Sequence, residues 1–143
     1  MGSGGRFNLG AAQTTAHFGI REEACLYVSS SIPCCLAEIQ APAGPPDKYE
    51  LRPKREFILW DLAKVLQHFN DPVVTSRVKD APLDAIWKLQ KVPLTPQLLA
   101  HHLRSIGGDG ILFPSTKVSE AHNIALFFRF DDDVKAALDA IQI

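Results

Sequence analysis

Four polar side chains of this 143-residue chain lie in apolar or glycine-rich segments where they could contact a ligand: Arg6, Tyr27, Glu38 and Ser115. Arg6 follows two glycines, and a guanidinium beside small neighbours can approach a phosphate and bind it in bidentate geometry. Tyr27 alternates with two apolar neighbours in a predicted strand, so its ring lies on the opposite face and can stack on a flat ring. Arg6 is therefore a candidate phosphate contact, and Tyr27 a candidate stacking residue.

Glu38 and Ser115 are the candidates for polar chemistry. Glu38 lies near the end of an apolar helical stretch, where a carboxylate either reaches solvent or is held for a purpose. Ser115 follows a short apolar strand, and sites are commonly built on the loops after strands. Each of the four residues also fits an ordinary structural role, as a loop arginine, a sheet tyrosine, a solvated carboxylate or a turn serine. The residue types alone leave both interpretations open.

The histidines and cysteines carry no metal-site signature. His101 and His102 are adjacent on a predicted helix, so their side chains diverge by about 100° and do not readily share one metal ion. Cys34 and Cys35 are two thiols, which do not complete a zinc site, and we expect them to pack in an alanine-rich helix. We expect no metal centre, and the sequence holds neither a Walker loop nor a dinucleotide-binding glycine fingerprint.

Periodicity predicts the elements that would position these residues. Strands are expected over 25–30, 56–62, 110–113 and 123–130, and helices over 32–41, 62–69, 80–90, 96–106 and 132–141. The proline-rich and charged segment 42–53 is expected to be a loop. Strands and helices without strict alternation predict an α+β fold, a mixed sheet with flanking helices.

Several side chains are expected to face the core. In the first helix Leu36 and Ile39 should point inward, and Ser31 or Ile32 should lie near its cap, with Pro33 in its first turn. In the helix over 96–106 the apolar face consists of Leu99, Leu103 and Ile106, and in the last helix it consists of Val134, Ala137, Leu138 and Ile141.

Composition limits the class of protein. Apolar residues make up 46% and charged residues 22% of the chain, which is ordinary for a globular protein. The net charge of −1 argues against a protein that binds nucleic acid directly. The cysteine count is odd at three, which favours reduced thiols. No apolar run approaches the roughly 20 residues of a membrane span, and the first residues lack a signal-peptide core. We expect one domain over 1–143 in the cytoplasm.

The order of several separated motifs resembles the RES-domain toxins of bacterial toxin–antitoxin pairs. The family is named after an arginine, a glutamate and a serine, which match Arg6, Glu38 and Ser115. The motifs are Gly5-Arg6-Phe7-Asn8, Leu26-Tyr27-Val28-Ser29, Leu36-Ala37-Glu38-Ile39, the segment from Gly108 to Ser115, and Asn123-Ile124-Ala125-Leu126-Phe127.

This resemblance implies a fold, a substrate and a partner. The fold would be similar to that of bacterial ADP-ribosyltransferase toxins, NAD+ would be the substrate, and the partner would be an antitoxin, often one with an Xre-type DNA-binding domain. Glu38, Arg6 and Tyr27 would be catalytic. Arg6, Asn8, Tyr27 and Ser115 would contact NAD+.

The resemblance leaves three activities open. The chain could cleave NAD+ at the nicotinamide–ribose bond by hydrolysis or phosphorolysis, it could transfer ADP-ribose to a protein, or it could be a RES-like binding module without activity. Three departures from the family pattern bear on the choice. Residues 13–18 replace the usual Pro-Gly turn, the same stretch offers no clear match for a second aromatic that some members use, and Thr116-Lys117 stands where an Ala-Arg pair is common.

Overall fold

The computed structural model describes residue 7 and residues 24–38, 47–69, 71–79, 95–128 and 131–143. The strands are β1 (Ala24–Ser29), β2 (Tyr49–Pro53), β3 (Leu59–Asp61), β4 (Gly110–Pro114), β5 (His122–Phe128) and β6 (Leu138–Gln142). The helices are α1 (Ile32–Glu38), α2 (Leu62–Phe69), α3 (Pro72–Lys79), α4 (Thr95–Ser105) and α5 (Asp131–Ala137). No helix of the described ranges is long and apolar enough to cross a membrane.

The main sheet has four strands in the order β1-β5-β4-β3. β5 is antiparallel to both β1 and β4, and β3 runs parallel to β4. Strands β2 and β6 form a separate antiparallel ribbon. A mixed sheet with helices and a second small sheet confirms the predicted α+β class.

The two faces of the main sheet bury different clusters. On the face that we call the helix face, the sheet packs against α2 and α4, and the buried residues are Phe7, Leu62, Leu66, Leu99, Ala100, Leu103, Ile111, Phe113 and Ala125. On the opposite face, which we call the ribbon face, the buried residues are Leu126, Phe128, Ala137 and Leu138. Leu51 of β2 packs against that second cluster, so the ribbon covers the face.

Several predicted elements are confirmed to within a residue or two. Helix α2 covers the predicted range 62–69, and β1 and α4 each start one residue earlier than predicted. Ser31 caps α1, since its Oγ accepts a hydrogen bond from the Cys34 amide at 3.2 Å. Gly107 and Gly108 follow α4 with φ of 107° and 95°, a conformation that favours glycine and ends the helix.

Other predictions were wrong, mostly where pairing is non-local. The predicted loop 42–53 contains β2, and the predicted helix 132–141 ends at residue 137 and continues as β6. Leu51 pairs with Ala140 in that ribbon, a contact between distant segments that periodicity cannot indicate. The predicted strand 56–62 shortens to three residues, and α3 was not predicted. The predicted helix 80–90 lies outside the described residues.

Three predicted core residues are exposed instead. Leu36 is 40% exposed, Ile106 56% and Ile141, which lies in β6, 38%. In α1 the fully buried side chain is Cys34. The helix therefore turns the side that holds Cys34 inward, and not the side that holds Leu36. Ile106 lies just beyond α4, where the chain turns away from the core.

Candidate active site

Tyr27 lies on the helix face of β1 and holds the segment around residue 7. The Phe7 amide donates a hydrogen bond to the Tyr27 hydroxyl at 2.9 Å. The Cys25 thiol lies 3.8 Å from the Phe7 carbonyl oxygen, so the backbone of residue 7 contacts the same strand twice. Tyr27 remains 41% exposed, and its strand neighbour Ala125 is small. One side of the Tyr27 ring is thus open to a ligand.

The Phe7 ring lies in the core on the helix face of the sheet. It is 1% exposed, and it meets the Phe113 ring edge-on at a centroid distance of 5.0 Å. Burying a phenylalanine side chain stabilises a fold by about 1.5–3 kcal/mol, and an edge-to-face pair adds about 0.5–1.5 kcal/mol. The position of Phe7 is therefore set by β1 and β4 together.

Ser115 follows β4 and organises the turn after it. Its Oγ accepts hydrogen bonds from the amides of Lys117 at 3.0 Å and Val118 at 3.1 Å. Its own amide donates to the Ala121 carbonyl at 2.9 Å. Ser115 thus has the turn role that its residue type allowed, and its side chain is half-buried. It lies near the end of β1 that leads into α1, because its neighbour Pro114 pairs with His122, and the His122 amide donates a hydrogen bond to Ser30.

Tyr27 and Ser115 lie apart in the sheet. Tyr27 is opposite Ala125 on β5, and Ala125 is opposite Ile111 on β4. Ser115 is two strands away from Tyr27 and four residues beyond Ile111, a backbone separation of about 15 Å. A single ligand would have to be long to contact both.

A buried polar group lies between these two positions. Asn123 on β5 is 5% exposed, and its Oδ1 accepts hydrogen bonds from the Ser29 Oγ at 2.6 Å and from the Cys34 Sγ at 3.4 Å. Ser29 follows Tyr27 on the same face of β1, and Cys34 belongs to α1. One amide oxygen therefore connects β1, β5 and α1.

The match to known proteins places the chain in a family. A model of the RES domain matches residues 1–142. This chain belongs to the RES domain family. No curated protein and no solved structure matches it at a significant level, so the likeness in fold to bacterial ADP-ribosyltransferase toxins stays a prediction. The RES family is associated with toxins that consume NAD+.

The structure of this RES domain describes only some of the predicted site residues. Tyr27 and Ser115 are described with their side chains, and Glu38 is the last residue of α1, described here by its backbone alone. Arg6 and Asn8 lie outside the described residues, although both are direct chain neighbours of Phe7.

Three residues that form a hydrogen-bonded polar cluster between the sheet and α1 were not predicted to do so: Ser29, Cys34 and Asn123. An available signal was the amide at residue 123, which begins an otherwise apolar strand. Cys34 was expected to pack, and it does, whereas its neighbour Cys35 is exposed. Cys34 and Asn123 meet across 89 residues of sequence, so their contact could not be predicted from spacing.

Arg104 of α4 connects the helix face to a cavity at the other end of the sheet. Its guanidinium lies 4.5 Å from the centre of the Phe127 ring, donates to the Phe128 carbonyl at 3.3 Å, and lies 3.6 Å from the Cys25 thiol. The cavity, of about 490 Å³, is lined by Arg104, Arg55 and Gly108 among others. Through Cys25, Arg104 supports the strand that holds Phe7.

An ion pair fixes the approach to β3, away from Tyr27. Arg55 bonds the Asp109 carboxylate at 3.0 Å, and the Ile58 amide donates to the same carboxylate at 2.7 Å. Desolvation raises the pKa of Asp109, but the hydrogen bonds from Arg55 and Ile58 and the charge of Arg55 outweigh it, so the pKa is lowered overall. The Asp109 carboxylate therefore stays charged near neutral pH.

Among the described residues, no three His, Cys, Asp or Glu side chains are grouped so as to hold a metal ion. His101 is half-buried and His102 exposed on α4, as expected for adjacent helical positions.

Proposed function

We propose that this RES domain is the toxin of a toxin–antitoxin pair and cleaves NAD+ at the nicotinamide–ribose bond. The observation that carries the proposal is the hydrogen bond between the Phe7 amide and the Tyr27 hydroxyl. This bond joins Tyr27 to Phe7, which is the residue between Arg6 and Asn8 in the sequence. The motif that holds the candidate phosphate-binding residue is thus linked, through Phe7, to the candidate stacking residue.

The reaction needs few groups. Breaking the bond between the ribose carbon and the nicotinamide nitrogen sends the electron pair to nicotinamide, which leaves as a neutral molecule, so no general acid is required. The sugar gains oxocarbenium character, as in glycoside hydrolysis. A single carboxylate can stabilise that charge and orient the nucleophile. We assign this role to Glu38.

The other residues bind and orient the dinucleotide. Arg6 binds the pyrophosphate, with Asn8 beside it, and Tyr27 packs on the nicotinamide ring. Ser115 contacts the nicotinamide-side ribose or amide. The separation between Tyr27 and Ser115 in the sheet requires an extended substrate, which suits a dinucleotide better than a small sugar.

The nucleophile is water or inorganic phosphate. Water gives ADP-ribose and a proton, and phosphate gives the 1-phosphate of ADP-ribose. Purified protein is mixed with NAD+ with and without phosphate, and nicotinamide and the ADP-ribose product are separated by chromatography. Nicotinamide release that is abolished by Glu38→Gln supports the proposal, and the dependence on phosphate names the acceptor.

The same experiment separates the rival activities. Radiolabelled NAD+ that labels a protein band in a cell extract, with no free ADP-ribose product, would indicate transfer to a protein target instead. Absence of both nicotinamide release and labelling would leave a RES-like binding module.

We further propose that residues 1–143 form one domain that acts in the cytoplasm and is held inactive by an antitoxin with an Xre-like DNA-binding domain. Expression of the chain alone should arrest growth and deplete cellular NAD+. Co-expression of the antitoxin gene from the same operon should restore both, and growth arrest that persists in Glu38→Gln would contradict the NAD+-based toxicity.

A further inference from the structure

Asn123 is a polar residue at a position that packing alone would give to an apolar side chain. It is 5% exposed, it lies opposite Phe113 of β4, and the strand continues with apolar residues from Ile124 onward. Buried amides are tolerated when their hydrogen bonds are made. The Asn123 side-chain oxygen makes two of them, to Ser29 and to Cys34.

The two donors belong to the elements that carry the proposed reacting groups. Ser29 is two residues after Tyr27, on the same face of β1 because strand side chains alternate. Cys34 is four residues before Glu38 on α1, so residue 38 lies one turn further along the same side of that helix. The Asn123 oxygen is thus bonded to the strand of Tyr27 and to the helix of Glu38.

The short connection between these elements leaves α1 dependent on this contact. Only Ser30 and Ser31 separate β1 from α1, and Cys34 is the buried residue of the helix, while Leu36 is exposed. A helix of seven residues is too short to be stable by itself. Its start is held by the cap at Ser31 and by the hydrogen bonds between Ser30 and His122, and further along the helix Cys34 contacts Asn123.

We propose that Asn123 is a positioning residue: by accepting hydrogen bonds from Ser29 and Cys34, it fixes the helix that ends in Glu38 relative to the strand that carries Tyr27. This inference rests on the proposed NAD+ cleavage, because it assigns the effect of Asn123 to the placement of Glu38. It predicts a loss in turnover and little change in NAD+ binding, since the bond between Tyr27 and Phe7 does not involve Asn123.

The test compares Asn123→Ala and Ser29→Ala with Ser29→Thr, which keeps the hydroxyl donor. Displacing a reacting group by about 1 Å can reduce turnover about 100-fold, so kcat should fall about 10- to 100-fold in the two alanine variants, with KM within about threefold of the wild type. Ser29→Thr should retain kcat within about threefold, because its hydroxyl can still donate to Asn123.

A second readout does not depend on NAD+. Cys34 is fully buried and Cys35 is exposed on the same helix, so Cys35 serves as an internal reference. With a thiol-reactive reagent, followed by mass spectrometry of the peptides, Cys34 should be protected in the wild type and Ser29→Thr. In Asn123→Ala and Ser29→Ala its labelling relative to Cys35 should rise at least about tenfold, as local opening of α1 becomes more frequent.

The outcomes separate this inference from the proposed function. All kinetic measurements are made well below the unfolding temperature of each variant, and Ser29→Ala stands in if Asn123→Ala does not fold. A wild type that cleaves NAD+, together with folded alanine variants that keep both kcat and Cys34 protection, overturns the role of Asn123 alone. A loss of stability with unchanged kcat also overturns it. A wild type that does not cleave NAD+ overturns the proposed function and the catalytic role of this contact together, whatever the labelling shows.

Discussion

The two faces of the main sheet are built from the same strands and carry different chemistry. Along β1 the side chains on the ribbon face are Leu26 and Val28, and those on the helix face are Cys25, Tyr27 and Ser29. β5 behaves in the same way: its ribbon-face residues are Ile124, Leu126 and Phe128, whereas its helix face begins with the amide of Asn123. Apart from the exposed His122 at the start of β5, the polar side chains named on these two strands therefore lie on the helix face.

This difference between the faces separates positions where packing accounts for the residue type from positions where it does not. An apolar residue at position 123 would be buried as readily as Leu126 is on the other face. A buried polar group left without hydrogen bonds costs about 1–3 kcal/mol, and here Ser29 and Cys34 each donate a hydrogen bond to the Asn123 side-chain oxygen and so offset that cost. We therefore assign the functional site to the helix face, where polar groups are buried although apolar residues could fill the same positions.

The largest expected effect is on the helix face and concerns activity. Glu38→Gln removes the charge and keeps the size of the side chain. Loss of one acid–base or charge-stabilising group reduces turnover about 10²- to 10⁴-fold, and we expect kcat for nicotinamide release to fall by that amount. Glu56→Gln, at an exposed position before β3, is the matched control and should retain wild-type kcat. Equal activity of the two variants would remove Glu38 from the site.

On the ribbon face the expected effect is on stability. Leu126 is 5% exposed, and Leu→Ala changes in cores reduce the free energy of unfolding by about 2–5 kcal/mol. Leu126→Ala should therefore unfold at lower denaturant concentration, while kcat at a temperature where the variant is folded stays within about twofold of the wild type. A large loss of kcat in the folded variant would show that the two faces are not functionally distinct.

A smaller effect is expected at the contact between Tyr27 and Phe7. Tyr27→Phe keeps the ring and leaves the Phe7 amide without this acceptor, which should reduce the free energy of unfolding by about 1–2 kcal/mol. If the bond also positions the neighbours of Phe7, KM for NAD+ should rise several-fold. Tyr49→Phe is the control, since Tyr49 lies on β2 of the ribbon and is 54% exposed. It should change neither quantity, and an unchanged KM in Tyr27→Phe would argue that the hydroxyl has only a structural role.

The smallest effect concerns the Arg55–Asp109 pair, which belongs to the core cluster of neither face. The pKa of Asp109 is lowered in the folded protein, so this carboxylate contributes stability that is present above its unfolded pKa of about 4. The contribution is lost as the pH falls through the folded pKa. Asp109→Asn should reduce the free energy of unfolding at pH 7 by less than about 1 kcal/mol, and the difference from the wild type should shrink in denaturant titrations as the pH falls below the unfolded pKa. A difference that grows on acidification would contradict this sign.

The sequence predicted local structure better than pairing. Helix 62–69 and the cap at Ser31 depend on periodicity and residue type, and both are confirmed. The ribbon of β2 and β6 joins segments about 90 residues apart, and residues 138–141, predicted as helix, belong to it. Cys34, which is buried while Leu36 is exposed, contacts Asn123, which lies 89 residues away in sequence.

The candidate site divides in the same way. Tyr27 was predicted as an exposed ring on one strand face, which alternation alone indicates, and its side chain is 41% exposed. The roles of Arg6, Asn8 and Glu38 came from resemblance to the RES family and stay predictions. Ser115 was selected for its place after a strand, and its hydrogen bonds to the turn amides were visible only in the structure.

Hydrogen–deuterium exchange of the Glu38→Gln variant, with and without NAD+, tests the central claim most directly, because the substrate can bind without being consumed. We predict slower exchange on binding in peptides that cover residues 24–38 and 110–118, and unchanged exchange in residues 49–53 and 138–142. Protection confined to the ribbon of β2 and β6, or an absence of protection at saturating NAD+, would contradict the assignment of the site to the helix face.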